Sequence, residues 1–241
     1  MPEPLVLLGG WGVYFLVNES FKEIHGSSYL GSRDVDIGFH IDPSMSVDEL
    51  KRSPFSLALD IIEEIGYMPM GTSRYYKIVH SSSGRWLDEK EACKYPSFDL
   101  FHLYLDPIVD NLHPAHGDVF KIKPIDDPIL ALAFNKNRFT TFILDEHRIL
   151  VPDPCVMVAM KLASFPGRQK DDKRVKDACD LYALLWHSPV GFRPLSAEVK
   201  DMFPDLARTA ERILDDPLVP KACHHLGIED VTYREVLNFL L

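Results

Sequence analysis

The stretch Gly31-Ser32-Arg33-Asp34-Val35-Asp36-Ile37-Gly38-Phe39 constrains the fold of this chain more than any other. Its carboxylates at 34 and 36 alternate with the apolar Val35, Ile37 and Phe39. Side chains of a strand alternate between faces, so a strand here presents Asp34 and Asp36 together and sends the apolar residues into a core. Two carboxylates side by side on one face repel each other, and a divalent cation is the usual remedy. A half-exposed edge strand with acidic outer positions would carry the same triplet. The stretch alone leaves both readings open.

The residues upstream add a second element. Pro4-Leu5-Val6-Leu7-Leu8 reads as a short buried strand, broken by Gly9-Gly10-Trp11-Gly12. The apolar Val13-Tyr14-Phe15-Leu16-Val17 then fits a helix packed beneath the turn. Glycines between a strand and a helix let the backbone approach a phosphate, with the helix N-terminal N–H groups aimed at it. A double glycine by itself marks only a tight turn. Strand, Gly-Gly turn, helix and Asp-x-Asp strand in succession set a phosphate cradle beside a carboxylate pair.

At these residues the sequence resembles the nucleotidyltransferase superfamily, the DNA polymerase β-like fold. The signature of that family is Gly-Gly or Gly-Ser, a helix, then Asp-x-Asp on the next strand, matched by Gly9-Gly10 and Asp34-Val35-Asp36. The spacing between the two halves suits the branch of AbiEii-type toxins and some aminoglycoside nucleotidyltransferases. The resemblance implies an α/β (α+β) fold with a small mixed sheet, followed by a helical C-terminal region. It also implies two Mg²⁺ ions on a carboxylate set, NTP as substrate, and a nucleotide-contacting set of Gly9, Gly10, Ser32 and Lys161. The family's third carboxylate lies on a later strand. Ser97-Phe98-Asp99-Leu100-Phe101-His102-Leu103-Tyr104-Leu105 reads as that strand and Asp99 as the metal ligand. Phe101 and Leu103 would share its face, and Asp106, Asp110 and Asp118 are the less favoured substitutes. A plain strand-edge aspartate is the alternative at Asp99.

Composition bounds the rest. A chain of 241 residues carries enough apolar surface for one large domain or two small ones. A net charge of −10 argues against a surface that coats nucleic acid, though not against a local basic groove. Cys93, Cys155, Cys179 and Cys223 are widely spaced without a CxxC pair. With no export signal recognised, reduced thiols and a cytoplasmic location are expected. The apolar run from Leu5 to Val17 is broken by glycines and too short to span a bilayer, so no membrane association is expected.

Between the motifs, a helix is expected from about Val47 to Gly66, starting late or split at Pro54, with Leu57, Ile61, Ile62 and Ile65 as its apolar stripe. Arg74–His80 reads as a strand, Ser81–Gly84 as its turn and Arg85–Pro96 as loop. The histidines of His113-Pro114-Ala115-His116 invite a metal reading, but Pro114 forbids a regular helix interior and a loop is favoured. His224-His225 reads as a helix-end feature. Val119–Lys123 reads as a strand with its lysines out, and Pro128–Phe134 as a helix. Phe139–Ile143 and Arg148–Val151 read as a hairpin.

From Asp153 onward the chain reads as helical, which sets expected domains at 1–151 and 152–241. Asp153-Pro154 supplies an N-cap acceptor and a proline at the first helical position. Lys161 closes an apolar run, Cys155–Met160, and either snorkels to solvent or serves a site. Asp177 and Asp180 lie three apart on one helix face. Lys161-Leu162, Arg168, Lys176-Asp177 and Asp180-Leu181 follow the order found in AbiEii-type proteins. That resemblance implies Lys161 on the triphosphate and Asp177 orienting it or activating the acceptor; a salt-bridged helix pair is the plain alternative. Further helices are expected over Ala197–Leu214 and near Val219 and Tyr233. The resemblance implies tRNA or protein as acceptor and a possible antitoxin. A small-molecule nucleotidyltransferase and a non-catalytic nucleotide-binding module are the other classes.

Overall fold

In this computed structural model, which describes residues 5–241, the chain divides into two compact units. Pro4, expected to open the first strand, lies outside the described residues. The division is not one cut along the chain. Residues 5–9 join Ser32–Ala131 in the first unit, and Gly10–Gly31 joins Leu132–Leu241 in the second.

In the first unit, β1 (Val6–Leu8) pairs antiparallel with β2 (Asp34–Phe39). The helix α1 (Gly9–His25) starts on the residue after β1 with no loop between them: Gly9, at φ +57°, makes the left-handed turn into it and Gly10 lies in its first turn. Two helices follow, α2 (Val47–Leu50) and α3 (Pro54–Glu64). The split falls where Pro54 was expected to force it, and Ser46 and Ser53 cap the two pieces by accepting from Glu49 N and Ser56 N. Gly66, at φ +90°, ends α3 as a left-handed stop. The buried stripe of α3 differs from the expected one. Phe55, Leu59 and Ile62 face the core, while Leu57, Ile61 and Ile65 are exposed. A helix apolar on both sides gives no periodicity from which the buried side can be chosen.

The sheet of this unit continues through β3 (Met68–Met70), β4 (Arg74–His80), β5 (Trp86–Leu87), β6 (Leu100–Val109) and β7 (Ile125–Asp126). Its order is β3-β4-β6-β2-β1, with β5 on β4 and β7 on β6. β2 and β7 run parallel to β6, and β4 runs antiparallel to it, so the sheet is mixed. The segment expected as loop, 85–96, instead holds β5 and α4 (Glu89–Ala92), which Asp88 caps. The strand expected at 119–123 is absent. Val119 ends the short α5 (His116–Val119), and strand pairing resumes only at Ile125. The unit closes into α6 (Pro128–Asn135). Gly38 in β2 is needed for this packing. A Cβ there would lie 2.6 Å from Val6, 2.8 Å from Leu8 and 2.9 Å from Leu130. Phe39, Phe55, Leu59, Tyr75, Leu105 and Val109 belong to one buried cluster, so the apolar face of β2 does reach a core, through Phe39.

In the second unit, the body of α1 buries Val13, Leu16, Val17 and Phe21. β8 (Phe139–Leu144) and β9 (His147–Pro152) form the expected hairpin, slightly longer at both ends. Its two-residue turn has positive φ at Asp145 and Glu146, as the right-handed twist of a tight hairpin requires. α7 (Pro154–Ser164) starts as expected, with the Asp153 carboxylate accepting from Val156 N at 3.0 Å. It packs against α8 (Asp171–His187). The span 197–214, expected as helix, holds parts of three: α9 (Phe192–Met202), α10 (Pro204–Ala207) and α11 (Thr209–Leu214), the first break falling before Pro204 and the second at Arg208. α12 (Val219–Leu226) and α13 (Asp230–Leu237) complete the unit. The fold is α/β with a mixed open sheet. Among the described residues, no helix is long and apolar enough to cross a membrane.

Candidate active site

The register of β2 against β6 places Asp34 beside Tyr104 and Asp36 beside Asp106. Partners in a parallel ladder share a face, so Asp34, Asp36 and Asp106 stand on one side of the sheet, and Leu105 turns to the core on the other. On the far side of β6, Tyr75 pairs with Leu105, which puts Arg74 next to Asp106. The guanidinium is bidentate: Nε donates to Asp106 Oδ1 at 2.6 Å, and Nη2 donates to Oδ2. Nη2 also lies 3.8 Å from Asp34 Oδ2, and the group sits 4.8 Å from the centre of the Tyr104 ring. The Asp106 hydrogen bonds, ahead of the fields of Asp106, Asp34 and Asp36, raise the Arg74 pKa further above its ordinary value.

Gly9 completes this site from the N-terminus of α1. Its φ is +57°, and a Cβ there would stand 1.7 Å from Asp36 Oδ2. No side chain fits between that backbone and the carboxylate. Ser32, expected to contact nucleotide, accepts the Asp34 N–H on its Oγ at 3.2 Å and so holds the start of β2. Gly10 is buried in the first turn of α1.

Asp99 sits elsewhere. It ends a short 3₁₀ turn, Ser97–Asp99, before β6 begins at Leu100. It lies five positions before Tyr104, the partner of Asp34, and has the opposite strand parity to Asp106. The carboxylate that the register brings to the Asp-x-Asp pair is Asp106. The misfit that Asp99 shares its parity with Phe101 and Leu103 was the available sign. The strand runs on to Val109 instead of ending at Leu105, which brings Asp106 onto it.

The donor set of three carboxylates is made of hard oxygens, as Mg²⁺ or Mn²⁺ prefer. Among the described residues, no group of three or more His, Cys, Asp or Glu side chains is placed so that it could hold a metal ion. Arg74 supplies the positive charge next to Asp106 and Asp34. Only the donor type suits a divalent cation; in this arrangement the cation on Asp106 is Arg74. The histidine pair at 113 and 116 serves structure: His113 Nε2 is 2.8 Å from the Met45 carbonyl oxygen, and His116 Nδ1 donates to the His113 carbonyl at 2.9 Å.

The second unit holds a separate charged network. Lys161 Nζ donates to Asp177 Oδ1 at 2.8 Å and to Asp180 Oδ2 at 2.6 Å. Arg168 Nε donates to Asp177 Oδ2 at 2.6 Å, and Lys176 Nζ to Asp180 Oδ1 at 3.1 Å. Tyr29, missed in the sequence, donates its hydroxyl to Asp180 Oδ1 at 2.8 Å, while its N–H is held by Asn18 Oδ1 at 2.8 Å. Lys161 is 8% exposed, Asp177 3% and Asp180 0%, so Lys161 neither snorkels nor stands free. Burial opposes the ammonium, and the fields of Asp180 and Asp177 outweigh it, leaving the Lys161 pKa raised. Burial likewise opposes the Asp180 carboxylate, and Lys161 and Lys176 outweigh that, leaving its pKa lowered. This is the salt-bridged helix pair that the sequence offered as the plain alternative to a phosphate-binding Lys161, with both charges satisfied.

No protein-family model and no curated protein matches the chain. Among solved structures it is similar to an antigenic nucleotidyltransferase-like protein from Paracoccidioides brasiliensis. That match has 13% identity and a TM-score of 0.40, over 86% of this chain and 83% of the other.

Proposed function

We propose that the chain transfers a nucleoside monophosphate from an NTP to an acceptor with the help of a divalent cation, releasing pyrophosphate. The observation that carries this reading is the contact between Gly9 and Asp36. A helix begins directly on a strand end, and its first residue lies so close to the Asp-x-Asp strand that only glycine fits. That arrangement supports a triphosphate and a cation held in one place, because helix N-terminal amides favour anions and the carboxylates favour the cation.

Asp34, Asp36 and Asp106 would hold the cation, Mg²⁺ by donor type. Bound there, it would neutralise phosphate charge and stabilise the attacking and leaving oxygens. Gly9 would bind the triphosphate through an amide that the start of a helix leaves without a helical partner. Asp106, once freed from Arg74, would be the carboxylate that takes the acceptor proton. Lys161 and Asp177 are given no chemical step in this reading, because each is already engaged inside the second unit. Asp99 is given none because it lies off β6.

For the acceptor we propose tRNA or protein, as in an AbiEii-type toxin with its antitoxin; a small alcohol is the alternative. Purified protein is incubated with each α-labelled NTP, Mg²⁺ and, separately, total RNA, protein extract and small metabolites. Label in RNA or protein supports the reading, and label in a small molecule moves it to the aminoglycoside type. No Mg²⁺-dependent transfer in any fraction, with no NTP bound, contradicts it in favour of a module that kept only the fold.

A further inference from the structure

On one face of β2 and β6 the chain gathers three carboxylates, and it spends an arginine on them from a third strand. Three such charges on neighbouring positions repel, and the bidentate grip of Arg74 on Asp106, with Asp34 at 3.8 Å, offsets that repulsion. The same grip occupies both oxygens of Asp106 and draws it away from service as a metal ligand or base. Arg74 is itself partly open to solvent, with its side chain 33% exposed and lying against the face of Tyr104. It can leave Asp106 without dismantling the core.

Resting on the nucleotidyl-transfer reading, we infer that Arg74 is an exchangeable counter-cation. It holds Asp34 and Asp106 in the metal-free protein and lets go of Asp106 when a divalent cation takes over the carboxylates. A guanidinium freed in this way keeps its charge and its fork of donors, and it remains beside the place where the triphosphate would lie. Arg74 is therefore a positioning residue with two positions, carboxylate-bound at rest and phosphate-facing when loaded.

The test is Mn²⁺ binding without nucleotide, followed by calorimetry and by the EPR signal of free Mn²⁺. Wild type is compared with Arg74→Gln, which removes the competing charge, and with Arg74→Lys, which keeps a charge but not the fork. A competing cation predicts that Arg74→Gln binds Mn²⁺ about tenfold more tightly than wild type, equivalent to ~1.4 kcal/mol, with Arg74→Lys between them. The metal-free Arg74→Gln protein should also melt lower than wild type, with Mn²⁺ restoring more of its midpoint than it adds to wild type. A scaffolding arginine predicts the reverse: equal or weaker Mn²⁺ binding in both variants, which overturns the inference and leaves the metal reading intact. If Arg74→Gln does not fold, the Arg74→Lys affinity decides alone, supporting exchange if tighter than wild type and refuting it if not. Failure of all three proteins to bind Mn²⁺ overturns the metal reading itself, and the inference with it.

Discussion

Replacing Lys161 by Met tests whether the charged network of the second unit is built as described. Methionine keeps most of the length and the apolar stem and deletes the ammonium, leaving Asp177 and Asp180 buried without the cation they share. Removing one partner of a buried ion pair costs about 3–5 kcal/mol. Asp177 retains Arg168, and Asp180 retains Lys176 and Tyr29, which puts the expected loss at the lower end. For a chain of this size, ~3 kcal/mol corresponds to a midpoint lower by about 6–12 °C. The pH dependence has a definite sign. The Lys161 pKa is raised in the fold, so its contribution is complete below its ordinary value of 10.5 and fades as pH rises through the folded value. The Asp180 pKa is lowered, so its contribution is present above its ordinary value of 3.8 and is lost as pH falls through the folded value. The gap between wild type and Lys161→Met should therefore be widest near neutrality and narrow at both extremes, read by thermal melts across pH. A variant melting within about 1 °C of wild type at neutral pH, or a gap that widens in acid, would refute the reasoning.

Gly9→Ala puts a methyl group 1.7 Å from Asp36 Oδ2 at a φ of +57°, so either the carboxylate or the helix start must move. The left-handed backbone alone costs about 1–2 kcal/mol, and melts together with Mg²⁺-dependent NTP turnover should show a lower midpoint and a near-complete loss of activity. Asp106→Asn should lower turnover on the order of 10²-fold or more, while Asp99→Asn stays close to wild type; the opposite ranking would return the third carboxylate to Asp99. Tyr29→Phe removes a hydrogen bond to a charged, buried acceptor, and denaturant titration should show a loss of about 1.5–3 kcal/mol. An unchanged midpoint would mean that Asp180 does not depend on Tyr29.

The strand β2 was legible because its alternation is local and its outcome is written in the identities at 34 to 39. So were the caps at Asp153 and the break at Pro54, which act within one turn. The place of Asp106 beside the Asp-x-Asp pair was not, and Pro107 explains why. A proline two residues past Leu105 reads as the end of a strand, yet β6 continues through it, paired to Ile37 of β2. Pairing with β4 ends at Leu105 and pairing with β7 starts at Ile108, so Pro107 falls in a gap of the ladder on that side. Arg74 was invisible for a different reason. It reaches Asp106 only through the register of β4 on β6, which no local pattern near residue 74 encodes. Lys161 was singled out correctly as unusual, but whether its partners would be phosphate or carboxylate depended on the packing of α7 against α8.

We propose a cation-dependent nucleotidyl transfer centred on Asp36. The most direct measurement is pyrophosphate released from NTP, in the presence of the acceptor fraction that takes label, by wild type and by Asp36→Asn, with and without Mg²⁺. Wild type should release pyrophosphate only with Mg²⁺, and Asp36→Asn should release none while its circular dichroism spectrum matches wild type. Pyrophosphate release by Asp36→Asn at the wild-type rate would contradict the account.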